Sequence, residues 1–166
     1  ITMNDNISEF HTQLKNLLIK YSDLFKELGA VEQLKYQGAK AFDLHALNTA
    51  MKEEQVLIMT LRGYEQKRIL LFKALNLPER TPLSQLEQIL SPAVRREFSD
   101  YTKQLLSSYC FFLSIYEKTH NILEMNARLL DRHIQDLDKR TTSGRPYKQD
   151  GSSEIQSFHR MKNIQI

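Results

Sequence analysis

The stretch PAVRREFSDYTKQLLSSYCFFLSIYEKTHNILEMNARLLDRHIQDLDKR, residues 92–140, contains no glycine, and no proline after its first residue. Apolar residues recur three or four apart along it: Val94, Phe98, Tyr101, Leu105, Tyr109, Phe112 and Tyr116, then Leu123, Ala127, Leu130, Ile134 and Leu137. That period predicts one long amphipathic helix. Ser91 suits its cap and Pro92 its first helical position. Unbroken, it would run about 70 Å at 1.5 Å per residue, which predicts an elongated molecule. Its apolar stripe needs other helices to cover it, and the rest of the chain is expected to supply them. The register weakens after Tyr116, where Thr119, Asn121 and Asn126 interrupt it. The distal half is therefore expected to offer an uncovered surface.

Working outward, the first helix is expected from about Asn6 to Tyr36. Ile7, Leu14, Tyr21 and Leu28 hold one heptad position, and Phe10, Leu17, Leu24 and Val31 the other. Leu18 and Phe25 widen the stripe. Four heptads without a polar substitution predict coiled-coil-like packing. Lys35 and Gly38 stand where the next apolar pair belongs, which predicts a bend or break near Gly38. Asp43 suits the cap of a second helix, Leu44 to about Leu75, closed by Asn76-Leu77-Pro78. A short helix after Thr81-Pro82 carries Leu83, Leu86, Ile89 and Leu90 and is expected to plug the bundle end. The expected fold is all-α: an elongated antiparallel bundle of three long helices plus one short helix, residues 1–140, with a flexible amphipathic tail, residues 141–166. In that tail Ile155, Phe158, Met161 and Ile164 recur every third residue, predicting a short segment that docks on cargo or on the bundle.

Composition narrows the function classes. The 166 residues are 41% hydrophobic and 26% charged, which suits a folded helical domain and excludes a disordered chain. The densest apolar run, Tyr109 to Tyr116, falls far short of the ~18 residues of a membrane span. No secretory leader is expected. The lone Cys110 lies among aromatic residues and is expected to be buried and inert. Residues 139–166 carry six basic residues against two acidic, whereas the rest carries 17 against 18. The basic charges are too scattered for a nucleic-acid site. Glu117 and His120 match half of a di-iron carboxylate motif, but no second copy follows, so no metal or cofactor is expected. No phosphate loop, zinc spacing or nucleophile elbow is present, and an enzyme is not expected. Glu54, Glu65 and Arg68 fall on or beside the second helix's stripe, where a bundle tolerates charge only when it is paired. They are expected to form one polar network that sets helix register.

Several stretches together resemble the FlgN family of flagellar export chaperones. Asp43, Leu44 and Leu47, then Lys52, Glu53, Glu54, Gln55, Leu61, Glu65 and Arg68, are similar to the family's second helix. Leu83-Ser84-Gln85-Leu86 resembles the short element after it, and Asn126 with Leu129 and Leu130 a motif near the end of the long helix. Tyr147, Asp150 and Gly151 resemble the family's tail motif, although Lys148 stands where a small residue is commoner. The resemblance implies a cytoplasmic, non-enzymatic chaperone. Its partners would be hook-filament junction proteins of the FlgK and FlgL type and an export gate protein of the FlhA type, the latter met by Tyr147. The alternative from another class is a coiled-coil adaptor that self-associates through the first heptad.

Overall fold

The computed structural model describes residues 3–140, and among them all regular structure is helical: α1 (Met3–Ala41), α2 (Leu44–Ala74), α3 (Leu83–Ile89) and α4 (Pro92–Arg140). The expected all-α bundle of three long helices and one short one is the observed fold. The amphipathic tail expected at 141–166 lies outside the described residues.

The long helices run up, down and up. Cross-helix pairs between α1 and α2 close in sequence as they approach the turn: Tyr21 with Glu65, Lys35 with Glu54, Gly38 with Leu47. These two helices are antiparallel. Pairs between α1 and α4 keep a nearly constant separation: Lys15 with Glu97, Ser22 with Ser108, Glu32 with Thr119, Ala39 with Asn126. These two are parallel, and α1 packs against both neighbours. Its heptad residues from Phe10 to Val31, with Leu18 and Phe25, are all buried. Each such Leu or Phe contributes roughly 1.5–3 kcal/mol. Phe25 anchors the seam to α4, edge-on to Tyr109 at 5.1 Å and tilted against Phe112 at 5.7 Å.

The first helix does not break at Gly38 but continues to Ala41. The chain turns one residue later, at Phe42, with φ +54°. Asp43 then caps α2 by accepting from the Ala46 amide at 3.0 Å. Gly38 is needed for proximity, not for a bend. A Cβ there would lie 3.0 Å from the Leu47 amide nitrogen and 3.3 Å from its Cα. At the other end of α2, Leu86 and Leu90 are buried, as the plug reading requires. On α4 the buried residues are Phe98, Leu105, Ser108, Phe112, Ile115 and Thr119. The tyrosines of the expected stripe, Tyr101, Tyr109 and Tyr116, are half-buried along its side.

The glycines separate by what surrounds them. Gly38→Ala presses a methyl into the α2 backbone and is expected to lower stability by about 1–3 kcal/mol. Gly63 meets nothing within 4 Å on its exposed helix face. Gly63→Ala is therefore expected to raise stability by about 0.5–1 kcal/mol through backbone entropy alone. Urea unfolding followed by circular dichroism reads both, as midpoint shifts of opposite sign.

Candidate functional site

Two features stand apart from ordinary packing: a buried ionic cluster in the bundle and an exposed length of α4. The cluster begins at Lys35, where the apolar pattern of α1 fails. Its side chain is 1% exposed, and its ammonium donates to Glu32 Oε1 at 2.7 Å and to Glu54 Oε2 at 2.8 Å. The Glu32 and Glu54 side chains are 0% and 5% exposed. Thr119 of α4 closes the set from a third helix, its hydroxyl directed to the Glu32 carbonyl at 3.3 Å and to Ile115 O at 3.0 Å. Thr119 thus belongs to the core and does not interrupt it. Asn126 does similar work, donating to the Ala39 carbonyl at 2.8 Å in the last turn of α1, where carbonyls lack helical partners.

The cluster holds two carboxylates and one ammonium. Glu32 Oε2 and Glu54 Oε1 are buried without a hydrogen-bond partner. Two buried carboxylates around one cation leave an excess negative charge, and a proton placed on one of them removes it. Burial is the main cause that pushes the Glu54 carboxyl up to about 7; its contact with Glu32 adds to this and Lys35 opposes it. Tyr116 of α4 faces the same carboxylates; burial first, then their charges, push its phenol up.

Glu65 and Arg68 form a separate group, about 16 Å further along α2 at 1.5 Å per residue. The expected single network of Glu54, Glu65 and Arg68 is therefore two. Arg68 Nη2 donates to Glu65 Oε2 at 3.0 Å, and Nη1 to the Glu79 carbonyl at 2.6 Å, tying the α2–α3 connection to the helix. Its guanidinium also lies 5.1 Å over the Phe72 ring. The Tyr21 hydroxyl donates to Glu65 from α1. Burial, then this bond, push that phenol well up. Sequence reasoning found Glu54, Glu65 and Arg68 but missed Glu32 and Lys35 as their core partners. The signal was present in Lys35, a cation on an otherwise apolar heptad position.

The second feature is the distal end of α4. Every residue from 127 to 140 is exposed. Leu130, Ile134 and Leu137, at i, i+4 and i+7, share one helix face and are 59%, 46% and 61% exposed. Asp131 and Asp138 follow one edge of that face by the 3.6-residue period. The tail residues expected to dock, Ile155, Phe158, Met161 and Ile164, and the expected gate-docking residue Tyr147, lie outside the described residues.

Other candidates place as follows. Cys110 is exposed, not buried. The aromatic run around it wraps the helix, and only Phe112 of that run turns fully into the core. Glu117 and His120 are exposed, with His120 stacked on Tyr116 at 6.4 Å. Among the described residues no three or more His, Cys, Asp or Glu gather as a metal site, and no helix is long and apolar enough to cross a membrane. No family model matches the chain, and neither a curated protein nor a solved structure matches it.

Two outcomes are expected from the cluster. The folded pKa of Glu54 lies above its unfolded value of 4.5, so its protonation favours the folded state. That contribution is complete below pH 4.5 and is lost as pH rises through about 7. Stability should fall across that window by on the order of 1–3 kcal/mol, and Glu54→Gln should flatten the slope. Urea midpoints measured from pH 5 to 8 check this. Lys35→Met leaves the carboxylates without their cation and should cost about 3–5 kcal/mol at pH 7.5 in the same assay.

Proposed function

We propose that this chain is a cytoplasmic, non-enzymatic chaperone of flagellar type III export, as its resemblance to the FlgN family implies. It would bind hook-filament junction proteins of the FlgK or FlgL type, mask their assembly-prone terminal helices, and bring them to a gate protein of the FlhA type, with Tyr147 meeting the gate. The observation that carries the reading is the apolar face of Leu130, Ile134 and Leu137 on a helix exposed throughout residues 127–140. An amphipathic cargo helix recognises such a face by laying its own i, i+3, i+4 anchors against it. The helix supplies direction and register, and the exposed apolar side chains supply the attraction. The neighbouring Asp131, about 100° around the helix from Leu130, provides a charge at the rim, where it favours orientation over raw affinity.

The competing reading, an adaptor that self-associates through its first heptad, lacks an available surface. From Phe10 to Val31 that heptad is buried within the chain. An exposed α4 face together with a filled α1 seam favours a partner helix of different sequence.

The expected result is saturable binding of a synthetic terminal helix from a FlgK- or FlgL-type protein, measured by calorimetry. Leu130→Glu/Ile134→Glu should weaken it by about tenfold or more, because charges would enter the apolar contact. Helicity should be unchanged, since both positions are exposed. No binding of either cargo helix by the full chain would sink the export reading.

A further inference from the structure

The outward side of α2 carries an apolar seam of its own. Val56, Gly63 and Leu70 recur every seventh residue, and Thr60, Lys67 and Ala74 follow each by four. By the 100° step per residue they share one face, opposite the buried Ala50, Glu54, Leu61 and Phe72. Val56 and Leu70 are 62% and 66% exposed, and Met59, which widens the seam, is 70% exposed. The outer face of a bundle helix ordinarily carries polar residues there. Gly63, at the centre, answers to nothing within the chain. A glycine inside a helix costs about 1 kcal/mol relative to alanine. Gly63 has no positive φ, and a Cβ added to it would meet nothing within 4 Å. Neither the backbone nor the packing of this chain requires it. What a glycine on an open helix face provides is room for a second backbone to approach closely.

The seam is continuous with a groove of about 450 Å³ between α1 and α2, bordered by Leu17, Lys20, Lys67, Leu70, Leu71 and Ala74 and by no carboxylate. Cations surround both. Lys20 and Lys67 flank the groove, and Lys52 and Arg62 are exposed on α2. Among the described residues no carboxylate pairs with any of the four; Lys67 lies over the Tyr64 ring at 5.9 Å. The nearby acids stand at the Val56 end or are engaged. Glu53 is exposed there, and the antiparallel pairing brings exposed Glu27 about level with Thr60. Asp23 pairs with Lys26 at 3.4 Å, and Glu9 accepts from Gln13 at 2.9 Å. An occupant therefore needs apolar side chains for the seam and negative charge at the groove end. A second copy of the chain does not supply that. Two copies laid parallel set every cation against its counterpart, and two laid antiparallel about Gly63 set Arg62 against its counterpart.

We infer that the outer face of α2 from Val56 to Ala74, with the groove beside Leu17, is a docking surface for an acidic amphipathic helix of another protein. That helix crosses α2 most closely at Gly63 and sets its carboxylates against Lys20 and Lys67. The apolar contacts supply the attraction, and the cations fix which end of the helix enters the groove. The surface shares no residue with the face of Leu130, Ile134 and Leu137, so it stands or falls apart from the export reading.

The test titrates the isotope-enriched full chain with a designed helical peptide of about 20 residues, leucine and alanine on one face and glutamate on the flanks. A second peptide carries lysine in place of each glutamate. The acidic peptide is expected to shift the amide signals of residues 56–74 saturably, and to bind at least about tenfold more tightly than the lysine peptide at low salt. Lys20→Glu/Lys67→Glu should reverse that preference. Leu70→Glu and Gly63→Gln should each weaken binding of the acidic peptide about tenfold, with helicity by circular dichroism unchanged. Glutamine is the better helix former, so loss of binding in Gly63→Gln would not come from unfolding. No shift, equal binding of the two peptides, or full binding by Gly63→Gln would overturn the inference. So would shifts of the same signals that grow with protein concentration alone, which assign the face to a second copy. Binding to phosphatidylglycerol vesicles without binding to the peptide would overturn it as well, in favour of a lipid surface.

Discussion

The bundle turns on a lysine placed where a leucine would be ordinary. Lys35 lies on the buried side of α1 and reaches Glu32 on its own helix and Glu54 on α2. A buried ammonium is costly to desolvate and is tolerated only in close, well-directed pairing. That demand fixes the register of α1 against α2 more sharply than apolar packing does, since leucines can slide by a turn and a charge pair cannot. It also carries α1 past the point where its heptad ends, so that Gly38 comes to meet the α2 backbone and the chain turns at Phe42. Thr119 and Asn126 then bind α4 to carbonyls of α1, placing the third helix by polar contacts at the same end.

Around that point the helices divide their work. The first is the central member, buried on two sides, with Phe25 filling the seam to α4 and Tyr21 the seam to α2. The second carries Glu54 and Glu65 on separate polar contacts, and Arg68 extends one of them into the connection before α3. Two contacts about 16 Å apart oppose both sliding and rotation of α2, which one alone would not. The excess carboxylate beside Lys35 adds a proton-dependent element to a scaffold otherwise held by apolar area. Protonation removes a buried charge, so acid strengthens this part of the bundle until other carboxylates begin to titrate.

The long helix spends its apolar stripe unevenly. From Phe98 to Thr119 the stripe is filled. From residue 127 onward it is exposed, yet it keeps the same spacing. An exposed repeat kept at helical period is the pattern by which amphipathic helices are recognised. Its small area suits an amphipathic helix captured reversibly, through leucine and isoleucine beside aspartate.

Much of this was legible in the sequence. The 3.6-residue period from Pro92 to Arg140, the heptads of α1, the cap at Asp43 and the proline stops set the helices and their order, because each is decided by local geometry and by which residues avoid water. The exposed distal face was legible too, as a stripe longer than its expected cover. Three things were not. Lys35 looked like the end of a pattern, because its partners lie on a turn of its own helix and on another helix. Cys110 looked buried, because an aromatic neighbourhood in sequence does not say which way a helix faces. Glu54, Glu65 and Arg68 looked like one network, because residues near one stripe look adjacent until distance along the axis separates them. Local chemistry determined the elements; only tertiary packing decided which polar side chains found partners, since a buried charge is stable or ruinous according to atoms far away in the chain.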